Sequence, residues 1–238
     1  MNKIYKNILY LLAFSIAFSI VYFFPNAQLA KAEKIDSPTT LTLSLPFQVE
    51  SKWSNFTPKN NNFVANATDT WFVYGWFGSL ELNKINSDKY PLLDNRHQAI
   101  DFSAKEGLSV IAAADGRVSF AGNLYGTTVA VRHSEGYETI YGHLSRIDVI
   151  EGQKVAKGDV IGAIGHSGTV NSHLHFELRR YTEEGTWAIN PRKLLSADWS
   201  KVIIPDFPAN RFFLGDPRNP DQQADFLLPV SYNIPKTK

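Results

Sequence analysis

A series of turn signals, recurring about every ten residues between Leu92 and Leu195, is the feature that most constrains the fold of this chain. The signals are dipeptides ending in glycine, the residue that most readily adopts the left-handed backbone of tight turns: Asp115-Gly116, Tyr125-Gly126, Glu135-Gly136, Glu151-Gly152 and Lys157-Gly158. The stretches between them alternate, so Val129 and Val131 are expected to point inward, away from Ala130. Short strands at this spacing predict an all-β domain, an antiparallel sandwich or barrel.

Helical signals are few in this segment. Asn190 and Pro191 predict an N-cap and the first position of one short helix that closes the domain near Leu195. The chain therefore divides into four parts: a hydrophobic N-terminal segment (1–32), a polar and aromatic lead-in that packs on the main domain (33–90), the strand-rich domain (91–195) and a proline-rich C-terminal extension (196–238).

Composition narrows the chemistry. The chain has 238 residues, no cysteine and a formal net charge of +1. The lack of cysteine excludes disulfides, thiol nucleophiles and thiolate metal sites, so any metal must be held by nitrogen and oxygen atoms. The near-neutral charge provides no basic field for nucleic acid, and we expect no nucleic-acid partner.

The first residues have the layout of an export signal. Lys3 and Lys6 precede an apolar run at residues 8–24, and the small residues of Ala30-Lys31-Ala32 form a cleavage site after residue 32. Left uncleaved, the run would span about 26 Å as a helix, close to the hydrocarbon thickness of a membrane. Both alternatives predict export to the periplasm or the cell surface, and only the uncleaved form would be anchored in a membrane.

All six histidines lie in the strand-rich segment, at positions 97, 133, 143, 166, 173 and 175. The most informative are in His173-Leu174-His175-Phe176-Glu177. The period of two in a strand puts His173, His175 and Glu177 on one face, while the two apolar residues enter the core. A solvated strand face seldom carries two histidines, so this pattern predicts a site containing two imidazoles and a carboxylate.

Two further elements carry candidate side chains. His97 and Asp101 would lie about 13 Å apart on a straight strand, too far to share a metal bound at about 2.1 Å, so the chain must bend between them. His143 follows Gly142 at the end of a strand, and the glycine indicates a close approach of the backbone to another group.

These elements resemble the LytM or lysostaphin-type zinc endopeptidases. The resemblance covers residues 96–195 and includes three motifs in order: HxxxD at 97–101, YGHLS at 141–145 and HLHFE at 173–177. The linking segments GLSVIAAADG, EGQKVAKGDVIGAIGHSG and AINPRKLL match as well. The resemblance implies an antiparallel β-sandwich of the barrel-sandwich hybrid kind, with few short helices.

The resemblance also implies roles. One Zn²⁺ per chain would be bound by His97, Asp101 and His175, with water as the fourth ligand, and His143 and His173 would face the metal without binding it. Two histidines and a carboxylate with an open position form a catalytic zinc arrangement. The implied activity is that of an exported endopeptidase that cuts cross-links or stem peptides of bacterial peptidoglycan. Neither the general base nor the oligomeric state follows from the sequence.

Some positions depart from or extend the family pattern. Ala99 replaces the usual glycine of HxGxD, which strains the bend only if its φ is positive. The loop before HLHFE is about one residue shorter than is typical of the family. His166 and His133 have no family role and are interpreted as surface or loop histidines. Glu177 is a candidate hydrogen-bond partner for a ligand imidazole, and Tyr90 is a candidate oxyanion helper.

Three alternatives compete with this interpretation. From spacing alone, His173 could also bind zinc, which would make a closed structural site. Some members of the family have lost ligands and activate other wall enzymes, but all five matching positions are retained here. The segment VIEGQKVAKGDVIGAIG resembles a biotinyl or lipoyl carrier hairpin, yet Gly165-His166-Ser167-Gly168 lacks the lysine that such a carrier modifies.

Overall fold

The structure is a computed structural model that describes residues 40–47, 71–75, 77–78, 96–197, 227–230 and 234. The N-terminal segment 1–32 and Tyr90 lie outside these residues, as do most of the lead-in and of the C-terminal extension. The described residues form twelve strands: β1 Trp71–Gly75, β2 Ala99–Ala104, β3 Ser109–Ile111, β4 Gly116–Leu124, β5 Gly126–Arg132, β6 Tyr137–Gly142, β7 Leu144–Ile147, β8 Lys154–Val155, β9 Val160–Ile164, β10 His173–Thr182, β11 Gly185–Ile189 and β12 Leu228–Pro229.

The strands form two antiparallel sheets. The larger has nine strands in the order β1-β2-β10-β6-β5-β4-β8, with β11 pairing with the second half of β10 and β12 pairing with β11. The smaller sheet has the order β3-β9-β7. Helical structure in the described part of the chain is confined to two 3₁₀ turns, Ser134–Gly136 and Pro191–Lys193. The predicted all-β antiparallel fold is confirmed.

Strand β10 lies in the interior of the larger sheet and aligns the functional motifs. One of its faces buries Leu174, Phe176 and Leu178 completely, and burial of such a side chain stabilises the fold by about 1.5–3 kcal/mol. The Phe176 ring packs against Phe102 and Tyr141, with ring centroids 6.2 and 5.4 Å apart. This packing fixes the register of β10, because a shift by one residue would turn the apolar face outward.

The expected alternation in β5 is only partly correct. Val129 and Val131 are buried, but Thr128 and Ala130 are buried as well. Because side chains alternate between the two faces of a strand, the burial of four consecutive residues means that both faces of β5 are covered there. Thr128 is tolerated there because its hydroxyl donates to the Gly126 carbonyl at 3.0 Å.

The ends of the domain are closed by short pairings. Asn190 caps the 3₁₀ turn Pro191–Lys193 as predicted, its side chain accepting a hydrogen bond from the Arg192 amide at 3.1 Å. From the lead-in, Leu43 forms a bridge to Leu195, and β1 pairs with β2. Among the described residues, no helix has the length and hydropathy needed to cross a membrane.

Candidate metal centre

Neighbouring strands bring the first two candidate ligands together. His175 of β10 lies opposite Asp101 of β2 in the sheet register, and its Nδ1 is 3.1 Å from Asp101 Oδ1. His97 precedes β2 by two residues, and its Nε2 lies 3.1 Å from Asp101 Oδ2. The bend that the spacing requires is therefore present, just before the strand begins.

Ala99 does not strain this bend. In the described part of the chain, the non-glycine residues with positive φ are Glu135 and His143, so the backbone of Ala99 stays in the ordinary region. Its side chain is completely buried at the start of β2. Glycine is therefore not needed at this position, because β2 already has extended geometry there.

The donor atoms of His97, Asp101 and His175 all lie within 4.8 Å of one another, and these residues can hold a metal ion. Each is buried, with 6 to 8% of its surface exposed. Two imidazole nitrogens and one carboxylate form a donor set that suits Zn²⁺. The residues present therefore fit the metal that the sequence motifs imply.

Electrostatics in the metal-free protein are consistent with this fit. Burial alone would raise the pKa of Asp101, but the charge of His97 and the hydrogen bond from His175 bring that pKa well below its usual range. Burial alone would lower the pKa of His175, whereas Asp101 and Glu177 raise it, to about 9. A proton on His175 thus faces the same carboxylate that a metal ion would share, and metal binding must displace that proton.

Two more imidazoles lie beside this group. The rings of His143 and His173 have centroids 4.6 Å apart, and His143 is 5.8 Å from the ring of His175. The Nδ1 of His143 bonds the Ser167 carbonyl at 2.8 Å, and the Nδ1 of His173 bonds the Asn171 carbonyl at 2.8 Å. Because a carbonyl only accepts, both Nδ1 atoms donate, and Nε2 is the basic nitrogen of each neutral ring.

Burial favours the neutral form of both rings. Burial is the main cause that lowers the pKa of His143, to about 4, and electrostatic repulsion from His173 is the second cause. Burial also lowers the pKa of His173 from its usual value. His143 has a φ of 61°, a left-handed conformation that costs a non-glycine residue about 1 kcal/mol or more and that is frequent at functional sites.

Gly142 makes the close approach that its position predicts. A Cβ atom on Gly142 would lie 2.9 Å from Tyr125 Cβ and 3.3 Å from His175 Cβ. Since no side chain intervenes, the Tyr125 ring packs on the His175 imidazole, with centroids 4.6 Å apart. No sequence pattern predicts this contact, because Tyr125 stands out only as the first residue of a turn signal.

Glu177 lies behind His175 as proposed, but at a distance. Its Oε2 is 3.8 Å from His175 Nε2, within reach of an ion pair and too long for a hydrogen bond. The Glu177 carboxylate is instead bonded by Arg179, whose Nε and Nη2 donate at 2.6 and 3.2 Å. Sequence reasoning missed Arg179, although the same period of two that places Glu177 beside His175 extends to it.

The two remaining histidines differ in position. His166 lies in an exposed loop, as expected, and its Nδ1 is 2.9 Å from Glu106 Oε2. His133 does lie in a loop, between β5 and the first 3₁₀ turn, but it is buried rather than at the surface, with only 7% of it exposed. Its Nδ1 lies 2.7 Å from the Asp115 carbonyl and its Nε2 lies 2.8 Å from the Thr139 hydroxyl. These bonds satisfy His133 within the fold, away from the metal-ligand group.

The segment that carries these residues is similar to a family of known proteins. Residues 95–191 match the family model described as Peptidase family M23. The DD-carboxypeptidase/endopeptidase Mpg of Neisseria meningitidis serogroup B is 44% identical over 86 residues, which are 35% of this chain and 20% of that protein. The murein hydrolase activator NlpD of Salmonella dublin is 37% identical over 95 residues, 39% of this chain and 25% of that protein.

The chain therefore spans between a fifth and a quarter of the length of these relatives. Among solved structures, the catalytic domain of the antimicrobial peptidase lysostaphin from Staphylococcus simulans has a TM-score of 0.44 and 25% identity. That match covers 52% of this chain and 90% of the lysostaphin domain.

Proposed function

Because residues 95–191 form a Peptidase family M23 domain, we propose that this chain is a zinc-dependent endopeptidase that hydrolyses cross-links or stem peptides of bacterial peptidoglycan. The observation that carries the proposal is the convergence of His97, Asp101 and His175 beside two further imidazoles. A site built for structure alone would not need neutral histidines next to a three-donor metal group.

The same geometry supports an open position on the metal. The donor group contains three residues and leaves out His173, whose Nδ1 is bonded to the Asn171 carbonyl. Zinc with three protein ligands retains a position for water or substrate, whereas a structural zinc site fills all four positions with protein atoms. The geometry therefore favours a catalytic site over the closed four-ligand alternative.

In the proposed mechanism, zinc held by His97, Asp101 and His175 would polarise the scissile carbonyl and lower the pKa of the attacking water. His143 or His173 accepts the water proton at Nε2, the nitrogen that each neutral ring leaves basic. The same imidazole then returns a proton to the leaving amine. The other imidazole takes up a proton from solvent as the oxyanion develops, donates a hydrogen bond to it, and releases that proton when the tetrahedral intermediate collapses.

The test uses the full chain and purified cell-wall sacculi. We expect the chain to release soluble peptides and to stop when the metal is chelated. His143→Ala and His173→Ala should each reduce the rate of peptide release by about 10²-fold or more, while zinc stays bound. His97→Ala should lose both zinc and activity, and His166→Ala is the matched control that should change neither. Loss of zinc in His173→Ala would assign that residue as a ligand instead.

The second candidate function is that of a wall-binding protein that activates another cell-wall hydrolase. The relative from Salmonella dublin, itself described as a murein hydrolase activator, favours this alternative, and the retention of all five motif positions favours an enzyme. A chain that binds one zinc, releases no peptide alone and increases release by an added wall hydrolase would be an activator.

We propose that the protein works in the cell envelope. The basic residues and apolar run of segment 1–32 support export, with the cleavage site at Ala30-Lys31-Ala32. Sequencing the N-terminus of the exported protein distinguishes the two forms. A start at Glu33 means cleavage, and an intact apolar run means a membrane anchor.

A further inference from the structure

The face of β10 that carries the candidate ligands continues into a buried charged row. His173, His175, Glu177, Arg179 and Tyr181 occupy alternate positions, and the first four are at least 93% buried. Arg179 is completely buried, which is uncommon for arginine and requires compensation by partners. A charge so placed must contribute enough to the fold or to the site to offset its desolvation.

Arg179 joins two groups that both contact His175. Its guanidinium donates to both oxygens of Glu177, at 2.6 and 3.2 Å, and Nη2 also donates to the Tyr125 hydroxyl at 3.2 Å. Glu177 lies behind the His175 ring, and the Tyr125 ring packs on that same imidazole. We call Glu177, Arg179 and Tyr125 the inner cluster.

This arrangement matters because His175, as a metal ligand, needs its proton on the ring nitrogen that does not bind the metal. Its Nδ1 faces Asp101, so in a metal complex the neutral ring carries its proton on Nε2. That Nε2 is buried and has no hydrogen bond, and Glu177 Oε2 of the inner cluster lies 3.8 Å from it. A carboxylate behind a ligand histidine fixes the tautomer and raises the basicity of the ring.

We propose that Arg179 and Tyr125 are positioning residues for metal binding. Arg179 holds the Glu177 carboxyl group in place behind His175, and it anchors the Tyr125 hydroxyl so that the tyrosine ring keeps the imidazole in place. This inference rests on the proposed metal site, and it adds two residues that act on the ligand without touching the metal.

The chain offers a control of the same residue types, although the Arg132 side chain is 43% exposed and that of Arg179 is buried. Glu138, Arg132 and Tyr181, which we call the outer cluster, repeat the same three residue types. Arg132 Nη2 is 2.9 Å from Glu138 Oε1, and the Tyr181 hydroxyl donates to Glu138 Oε2 at 2.6 Å. No bond from the outer cluster to His97, Asp101 or His175 is found among the described residues.

The experiment compares Arg179→Lys with Arg132→Lys in the full chain. Lysine keeps the charge but loses the two-pronged geometry of the guanidinium. We expect Arg179→Lys to weaken Zn²⁺ binding by about 10-fold or more, measured by competition with a chelator, and Arg132→Lys to leave it unchanged. The visible spectrum of the Co²⁺-loaded protein should shift in Arg179→Lys alone, because the geometry of the His175 ligand changes.

A double-mutant cycle tests whether Arg179 acts through Glu177. Glu177→Gln alone should weaken Zn²⁺ binding, and adding Arg179→Lys should cause little further loss. If Arg179→Lys does not fold, Tyr125→Phe with Tyr181→Phe as control tests the same proposal, since each removes one hydroxyl. A weaker Zn²⁺ affinity in Tyr125→Phe alone supports the proposal.

Two outcomes separate the proposals from each other. If the wild-type chain binds Zn²⁺ and the inner-cluster variants bind it equally well, the positioning role is wrong and the metal site stands. If the wild-type chain binds no Zn²⁺, the proposed function itself fails. Thermal unfolding of the metal-free variants is measured alongside, and a loss of stability without a change in Zn²⁺ affinity would also overturn the positioning role.

Discussion

The inner and outer clusters lie next to each other on one sheet, and they are built from the same residue types. Arg179 of the inner cluster is directly opposite Glu138 of the outer cluster in the pairing of β10 with β6. Both glutamates are completely buried, and both bind an arginine and lie within a network that includes a tyrosine. Burial of charge therefore does not distinguish a functional region from a structural one in this molecule.

What differs is whether the polar groups are satisfied. Glu138 accepts from Ser119 at 2.6 Å, from Tyr181 at 2.6 Å and from Arg132 at 3.0 Å. Beside the inner cluster, by contrast, the buried Nε2 of His175 has no hydrogen bond. Incomplete satisfaction next to converging donor atoms is what indicates a site, because a buried polar group without a partner is costly unless function requires it.

The largest expected effect is that of Asp101→Asn compared with Glu138→Gln. Each change replaces a buried carboxylate by an amide of the same size. Asp101→Asn removes the charged ligand between His97 and His175, so Zn²⁺ affinity should fall by more than about 100-fold. This loss is larger than the loss of about 10- to 100-fold that is typical when a residue behind a ligand is changed. Glu138→Gln should retain wild-type affinity. Chelator competition measures both, and equal affinities would remove the distinction between the clusters.

Much of this site follows from the sequence, because its geometry is set locally. The period of two in β10 places His173, His175 and Glu177 correctly. The distance argument for His97 and Asp101 requires the bend that is found before β2. Such inferences need only the spacing within one segment.

Contacts between distant segments could not be predicted in the same way. Tyr125 reaches His175 from a turn 50 residues earlier in the chain, and only the pairing of strands within the larger sheet brings them together. The burial of His133 within its loop could not be predicted, because the sequence does not show that the Asp115 carbonyl and the Thr139 hydroxyl bond its ring. Arg179 would normally be assigned to the surface, and its burial depends on partners from other strands.

The second expected effect is on stability and belongs to the outer cluster. Glu138→Ala removes an acceptor shared by Ser119, Arg132 and Tyr181, so the free energy of unfolding should fall by about 2 kcal/mol. Zn²⁺ affinity should not change. Urea unfolding of the metal-free chain measures the loss, and Ser119→Ala serves as a milder control that removes one donor. A large loss of Zn²⁺ affinity in Glu138→Ala would mean that the two clusters act as one.

A third effect separates strain at the site from strain elsewhere. His143 and Glu135 have φ values of 61° and 57°, and glycine adopts this conformation without the penalty of about 1 kcal/mol that other residues bear. His143→Gly should therefore be more stable than His143→Ala by about 1 kcal/mol. Glu135→Gly should likewise be more stable than Glu135→Ala by about 1 kcal/mol. Only the His143 variants should lose cleavage. Thermal unfolding and the sacculus assay check the two parts, and activity in His143→Gly would exclude a catalytic role for the imidazole.

The smallest effect is expected for the histidine that lies apart from both clusters. His166 is exposed and pairs with the exposed Glu106, and such surface pairs contribute about 0 to 1 kcal/mol. His166→Ala should change the free energy of unfolding by less than about 0.5 kcal/mol, with Zn²⁺ affinity and peptide release unchanged. Equilibrium unfolding in urea and the two functional assays measure this. Loss of peptide release in His166→Ala would place the loop of residues 166–171 in contact with substrate, and the functional region would then extend beyond the buried residues on and next to β2, β6 and β10.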